Sequence, residues 1–303
     1  MGTVFEIFIA GKTSAYAGQA ARAGFEEIDR LERLFSRFDE SSEIRRIGRL
    51  APGEALPVSI EVTDCLDIAE RVRLATGGAF DANVRSLIEW VMETGGDPPS
   101  VRLQDRPFRL LRTEGGFAVE RAAAPNKGPG SPVQPDIRLD LGGIGKGYSL
   151  DRIREVLADW SVSDALLQAG TSTALGIGSA PGRSGERAGW PVGVATAWKT
   201  AGHSGEVVLR DRAVSGSGFD VKGGHILDPR TGRIASGHAA AWAGHKEAAA
   251  ADALSTAFMV MDDREVERFC RDHRNVWAFV VDASGRIRIF NDAALRESQG
   301  VES

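Results

Sequence analysis

The chain has 303 residues, 42% hydrophobic and 26% charged, with a formal net charge of −5. That composition is ordinary for a folded, water-facing protein, and the length suits one large domain or two ordinary ones. The negative balance removes the electrostatic case for nucleic acid or an anionic membrane, and no apolar run approaches the roughly 18 residues of a spanning helix.

Residues 3–10 read as a strand, with no basic or apolar leader pattern before it. Glu6 stands where a myristoylation signal needs Ser or Thr. Cys65 and Cys270 are lone and far apart, as reduced core thiols are. These features suit a cytoplasmic protein, periplasmic or membrane-anchored only if an export signal has been trimmed. Residues 15–35 form an amphipathic helix with Ala20, Phe25, Ile28, Leu31 and Leu34 on one face. Ser41 or Ser42 caps a short helix carrying Ile44 and Ile47, and 52–57 is a loop. A second long helix, 60–76, stops at Gly77-Gly78. Asp81 is placed to cap a helix over 84–92.

Residues 95–135 are polar and rich in Gly and Pro, with a strand pair at 108–113 and 116–120, and read as a variable insertion. Residues 137–141 alternate apolar and charged side chains, as a half-buried strand does. Gly142, Gly143, Gly145 and Gly147 follow, then a helix over 148–160 with Leu150, Ile153 and Leu157 on one face. Short strands are expected at 164–168, 172–177, 190–195 and 205–209. Ser215-Gly216-Ser217-Gly218 is a polar glycine cluster, and Asp228-Pro229-Arg230-Thr231-Gly232 is a turn by composition. Residues 249–260 form a helix of small and apolar residues and 265–273 a polar-faced one. A hairpin joins 276–282 to 287–291, and the tail frays from Glu297. Helices alternate with strands early and strands cluster later, which predicts an α+β or α/β sandwich rather than a Rossmann repeat.

Chemistry concentrates at three places. A glycine turn opening a helix presents backbone N–H groups, and Lys146 within it is a point charge suited to a phosphate oxygen. The turn is neither a P-loop, since Asp140 and Gly147 occupy the required Gly and Ser/Thr positions, nor a dinucleotide fingerprint, since Tyr148 occupies the third Gly position. A ligand-free tight turn is the other reading. Asp252 and Thr256 lie one helical turn apart, so their oxygens share a face and suit a hard cation completed by phosphate and water. The structural alternative is a capping Asp and a Thr bonded back to its own helix. His225 is either a base or a satisfied structural histidine.

Taken together, these stretches resemble the ApbE-type FAD:protein FMN transferases. The resemblance rests on residues 35–47, 76–84 (Thr76-x-Gly78-Ala79-Phe80-Asp81), 140–151 (Asp140-Leu-Gly-Gly-Ile-x-Lys146-Gly-Tyr-x-x-Asp151), 225–232 (His225-Ile-x-Asp-Pro-Arg-Thr-Gly232) and 251–258 (Ala251-Asp-Ala-Leu-x-Thr256-Ala). It runs over about 3–290. It implies an α+β fold with mixed or antiparallel sheets flanked by helices, ApbE-like (T-fold-like). A single large domain would span 3–292, with a tail at 293–303. It implies Mg²⁺-dependent transfer of the FMN half of FAD to a Thr or Ser hydroxyl of an acceptor protein, releasing AMP. By the same resemblance Gly143, Asp252 and Thr256 hold the metal, Ala79, Phe80, Asp81, Lys146 and His225 contact the cofactor, and His225 also handles the acceptor's proton. Two departures are Gly170-Thr171 where a glycine pair is usual, and Gly216-Ser217-Gly218 where Thr-Ser-Gly is usual, with a short run from there to His225. An FAD pyrophosphatase yielding FMN and AMP, and a non-catalytic FAD-binding protein, are the alternatives.

Overall fold

The computed structural model describes residues 3–94, 106–123, 136–185, 188–194, 206–218, 226–235 and 237–298. The elements are β1 (Phe5–Ile9), α1 (Ser14–Phe35), α2 (Glu43–Ile47), β2 (Ala55–Val58), α3 (Ile60–Ala75), α4 (Arg85–Thr94), β3 (Phe108–Thr113) and β4 (Gly116–Arg121). Then come α5 (Gly145–Asp159), β5 (Ala165–Ala169), β6 (Thr173–Ile177), β7 (Trp190–Gly193), β8 (Glu206–Leu209), β9 (Arg212–Gly218) and β10 (Ala240–His245). The chain closes with α6 (Ala248–Val260), α7 (Asp263–Asp272), β11 (Trp277–Val281), β12 (Ile287–Phe290) and α8 (Asp292–Ser298). Among the described residues no helix is long and apolar enough to cross a membrane.

The architecture is α+β around a seven-stranded antiparallel sheet in the order β1-β5-β6-β9-β10-β11-β12. Side chains alternate across it, as the pleat dictates. Ala165, Leu167, Ala169, Leu175 and Ala213 turn to the face covered by α1 and α5, while Leu166, Ala174, Val214, Trp277 and Phe279 turn to the other. That second face is closed by the two-stranded β7-β8 sheet and by Ala294 and Leu295 of α8. A three-stranded sheet, β2-β4-β3, adds Phe108 and Val119 to the core shared with α1, α3 and α6. α6 is alanine-rich and lies almost wholly buried between the large sheet and α5, a position that larger side chains would fill to excess.

Local signals set most boundaries. Thr13, Ser42 and Ser59 cap α1, α2 and α3 through their hydroxyls, and Asp262 with Glu265 forms a capping box on α7. α3 ends where Gly77 and Gly78 take positive φ, with Gly78 N–H bonded to Arg73 O at 2.8 Å.

Four expectations are corrected. Residues 137–141 alternate in burial but join no ladder. Instead Asp140 N–H donates to Ala82 O at 2.7 Å, Arg138 N–H to the Asn83 side-chain oxygen at 2.7 Å, and Asn83 Nδ2 to Asp136 O at 3.1 Å. An asparagine and a carbonyl of the 76–83 stretch take the place of a partner strand. The expected loop at 52–57 holds β2, which pairs with β4 despite Pro57 because it is an edge strand. The 215–218 cluster is the end of β9, paired with β10. Asp81 does not cap α4; its carboxylate accepts from Asn83 N–H at 2.8 Å in an Asx turn.

Candidate active site

α5 and α6 meet at their N-terminal ends. A Cβ at Gly147 would stand 2.0 Å from Ala248 O and 2.7 Å from Ala249 N, so only glycine permits this approach of two backbones. Asp151, one turn further along α5, accepts from Ala248 N–H at 3.0 Å and Ala249 N–H at 2.9 Å. It therefore caps α6, whose own N-cap residue Glu247 makes no side-chain cap bond. Burial pushes the Asp151 carboxyl up to about 6, against the backbone donors and Arg154, which favour its charge.

This junction fixes the offset between the glycine turn and the Asp252–Thr256 face. Asp252 is 2% exposed. Its Oδ1 accepts from Lys146 Nζ at 2.9 Å and Ser215 Oγ at 3.2 Å; its Oδ2 accepts from Lys146 Nζ at 3.2 Å and Gly147 N–H at 3.2 Å. Thr256 Oγ1 lies 3.4 Å from Asp252 O and 3.4 Å from Ser217 Oγ. The back-bond of the structural alternative is thus present, but the capping aspartate is Asp151 rather than Asp252. Gly143 sits against Thr256: a Cβ there would be 3.0 Å from Thr256 Oγ1 and 3.3 Å from the Phe80 ring.

Ala79 and Phe80 are 1% and 4% exposed, so Phe80 forms the floor under the glycine turn. Burial raises the Asp81 carboxyl, opposed by its bond from Asn83 N–H and by Arg73. At the turn's entrance Asp140 accepts from Gly142 N–H at 2.9 Å and is ion-paired with Arg37, with Arg85 4.0 Å away. Lys146 also reaches Gly142 O at 3.3 Å.

Of the residues singled out from sequence, Gly143, Lys146, Asp252, Thr256 and Phe80 converge, and Ala79 and Asp81 adjoin them on the stretch that braces the turn. His225 lies outside the described residues. The chain after it is firmly seated: Leu227 bridges to Ile234, and Arg230 clasps Asp228 at 2.9 Å and Glu265 of α7 at 2.6 Å. Cys65 and Cys270 are buried free thiols, and burial pushes Cys270 up to about 12.

The hydroxyls behind the site are not evident from sequence motifs. Thr173 and Ser215 bond at 2.9 Å, as do Ser217 and Ser255, so β6 and β9 support Asp252 and Thr256 from below. The signal was present in the period of two: Ser215 and Ser217 share one face of a strand. It is hidden when the segment is taken for a glycine cluster.

The fold and this cluster define an α+β protein with one carboxylate, several hydroxyls and an ammonium gathered where a glycine turn meets a second helix. The chain belongs to the ApbE family, whose model matches residues 1–280. It is similar to the FAD:protein FMN transferase of Klebsiella pneumoniae (strain 342), 24% identical over 246 residues, covering 77% of this chain and 68% of that one. The same-named protein of Escherichia coli (strain K12) is 23% identical over the same shares. Among solved structures, the ApbE protein of Thermotoga maritima has a TM-score of 0.73 at 26% identity, covering 97% of this chain and 98% of that one. The flavin transferase ApbE of Vibrio cholerae has the same fold, with a TM-score of 0.71 at 19% identity over 98% and 96%.

Proposed function

We propose that this protein moves the FMN half of FAD onto a Thr or Ser hydroxyl of an acceptor protein and releases AMP, with Mg²⁺ at the diphosphate. The observation that carries the reading is the meeting of Gly143, Lys146, Asp252 and Thr256 at one helix junction, from segments more than a hundred residues apart.

The donor set fits a hard cation. Among the described residues there is no group of three or more His, Cys, Asp or Glu side chains suited to a metal. A cation here would draw on the Asp252 carboxylate, the Thr256 hydroxyl and a backbone carbonyl of the glycine turn, a place the family resemblance gives to Gly143, which packs against Thr256. Magnesium takes such mixed oxygen sets, one or two carboxylates with the rest from phosphate and water. When bound, it neutralises charge on the diphosphate oxygens.

The remaining chemistry belongs to the chain. Gly142 and Gly143 of the turn, and Gly145 that opens α5, carry no Cβ and let phosphate approach the backbone there. Lys146 offers a positive charge to a phosphate oxygen. The acceptor's hydroxyl oxygen bonds to the FMN-side phosphorus, the diphosphate P–O bond breaks, and AMP leaves. The hydroxyl proton passes to His225, a base whose ordinary pKa lies near neutrality. Such transfer needs positioning and charge neutralisation more than covalent help.

The test is to incubate the full chain with FAD and Mg²⁺, with and without a lysate of the host's proteins, and to weigh the products. A protein that gains the mass of FMN, matched by AMP, supports transfer. Free FMN and AMP without any protein adduct would make the enzyme a pyrophosphatase. Unchanged FAD that stays bound would leave only a carrier.

A further inference from the structure

We propose that Lys146 is a built-in competitor for the cation at Asp252, so that a divalent ion binds tightly only together with a diphosphate that draws the ammonium away. This rests on the reading of Asp252, Thr256 and Gly143 as cation ligands.

The carboxylate of Asp252 is already fully engaged. Each oxygen has two donors, and Lys146 supplies the single full positive charge among them, at 2.9 and 3.2 Å. A magnesium ion sits about 2.0–2.1 Å from its oxygens, which would place it beside the ammonium with no room for screening water. Like charges so close in a partly buried setting repel strongly. One must leave, and the lysine is the one built to do so. Its side chain is 22% exposed while that of Asp252 is 3% exposed, and its other recorded contact among the described residues is the marginal 3.3 Å bond to Gly142 O. The four-carbon stem lets the head swing by several bond lengths without moving α5.

Where the ammonium goes is set by its neighbours. Asp140, the next carboxylate along the turn, is taken by Arg37 and faces Arg85. An incoming diphosphate is then the nearest anion with free oxygens. Lys146 thus does two things in sequence. It keeps the buried Asp252 from standing unpaired, a costly state, and it hands that carboxylate to the cation when phosphate arrives. By linkage, diphosphate raises cation affinity and the cation raises diphosphate affinity by the same factor.

The test titrates Mn²⁺ alone into the full chain by electron paramagnetic resonance, for wild type, Lys146→Met, Lys146→Gln and Lys146→Arg, then repeats it with FAD present. Lys146→Met and Lys146→Gln should bind Mn²⁺ alone about tenfold more tightly than wild type, a coupling of ordinary size. Lys146→Arg, which keeps a cation beside Asp252, should stay near wild type. FAD should tighten Mn²⁺ binding more in wild type than in the neutral variants. Circular dichroism and the urea midpoint establish that each variant is folded, and two neutral side chains guard against one failing. Mn²⁺ affinity in both neutral variants equal to or weaker than wild type would overturn the proposal. Asp252→Ala separates the two levels. If with FAD present it binds Mn²⁺ as wild type does, the ligand assignment itself is wrong; if it loses Mn²⁺ there while the neutral Lys146 variants match wild type toward Mn²⁺ alone, the exchange alone is wrong.

Discussion

Gly147→Ala is a one-methyl change with a large expected effect. The added Cβ would fall 2.0 Å from Ala248 O, 2.4 Å from Ala248 C and 2.7 Å from Ala249 N, where real Cβ atoms keep beyond 3.0 Å. Relief therefore requires α5 and α6 to separate by about 1 Å, and the obstacle is backbone that cannot rotate aside. That movement stretches three cross-links at once: Asp151 to Ala248 N–H, Asp151 to Ala249 N–H, and Gly147 N–H to Asp252. Overpacking alone costs about 1–3 kcal/mol, and each hydrogen bond to a charged group contributes roughly 1.5–3 kcal/mol. These neighbours are not additive, so a loss of roughly 3–5 kcal/mol is expected, enough to leave many domains barely folded. Urea denaturation followed by fluorescence measures it. In whatever fraction remains folded, Mn²⁺ affinity should fall, because the shift parts the glycine turn from Asp252. A Gly147→Ala protein with wild-type urea midpoint and wild-type Mn²⁺ binding would refute the claim that this contact sets the site.

Asp252→Ala should abolish Mn²⁺ binding and lower turnover by about 10³-fold, the upper range for losing one charge-stabilising group; unchanged turnover in product analysis contradicts the ligand assignment. His225→Ala should keep FAD binding, read by flavin fluorescence, while slowing transfer by about 10²–10⁴-fold, and a wild-type rate removes His225 from the mechanism. Asp151→Asn tests the cap through pH. The folded Asp151 carboxyl titrates near 6 and the unfolded one near 3.8. The folded state therefore holds the proton more tightly, and the stability this group contributes is full below the unfolded value and lost as pH rises through about 6. Wild type should lose up to about 3 kcal/mol relative to Asp151→Asn between pH 4 and 7; parallel stability profiles for the two proteins would show that Asp151 is not buried as described.

Legibility in the sequence followed the range of the forces involved. Helices with local signals were read to within a residue or two: Ser42 before Ile44 and the glycine pair after Ala75 act through atoms three or four positions away. The Asp252–Thr256 face was legible for the same reason, since helical periodicity alone aligns the two oxygens. What failed depended on distant partners. Residues 137–141 have a strand's alternation, yet Ala82 and Asn83 had already claimed the hydrogen bonds a neighbouring strand would use. Asp151 stood in a recognised motif, but its task is to cap a helix that begins 97 residues later. Ser215 and Ser217 were set aside as part of a glycine cluster because the tertiary partner that makes them a strand, β10, lies beyond 225. Lys146 was read toward phosphate from its place in the turn; its ion pair with Asp252 is visible only once α6 is laid across α5.

The central claim is that Gly143, Asp252 and Thr256 hold a divalent cation beside Lys146 at the diphosphate of a flavin nucleotide. Crystals grown with Mn²⁺ and FAD, measured at the manganese edge, test it in one experiment. The account predicts an anomalous peak about 2.1–2.2 Å from an Asp252 carboxylate oxygen and the Thr256 hydroxyl, close to Gly143 O, touching the diphosphate, with the Lys146 ammonium moved onto a phosphate oxygen. Bound FAD with the manganese elsewhere, or with the Lys146–Asp252 pair intact and no peak between them, would contradict it.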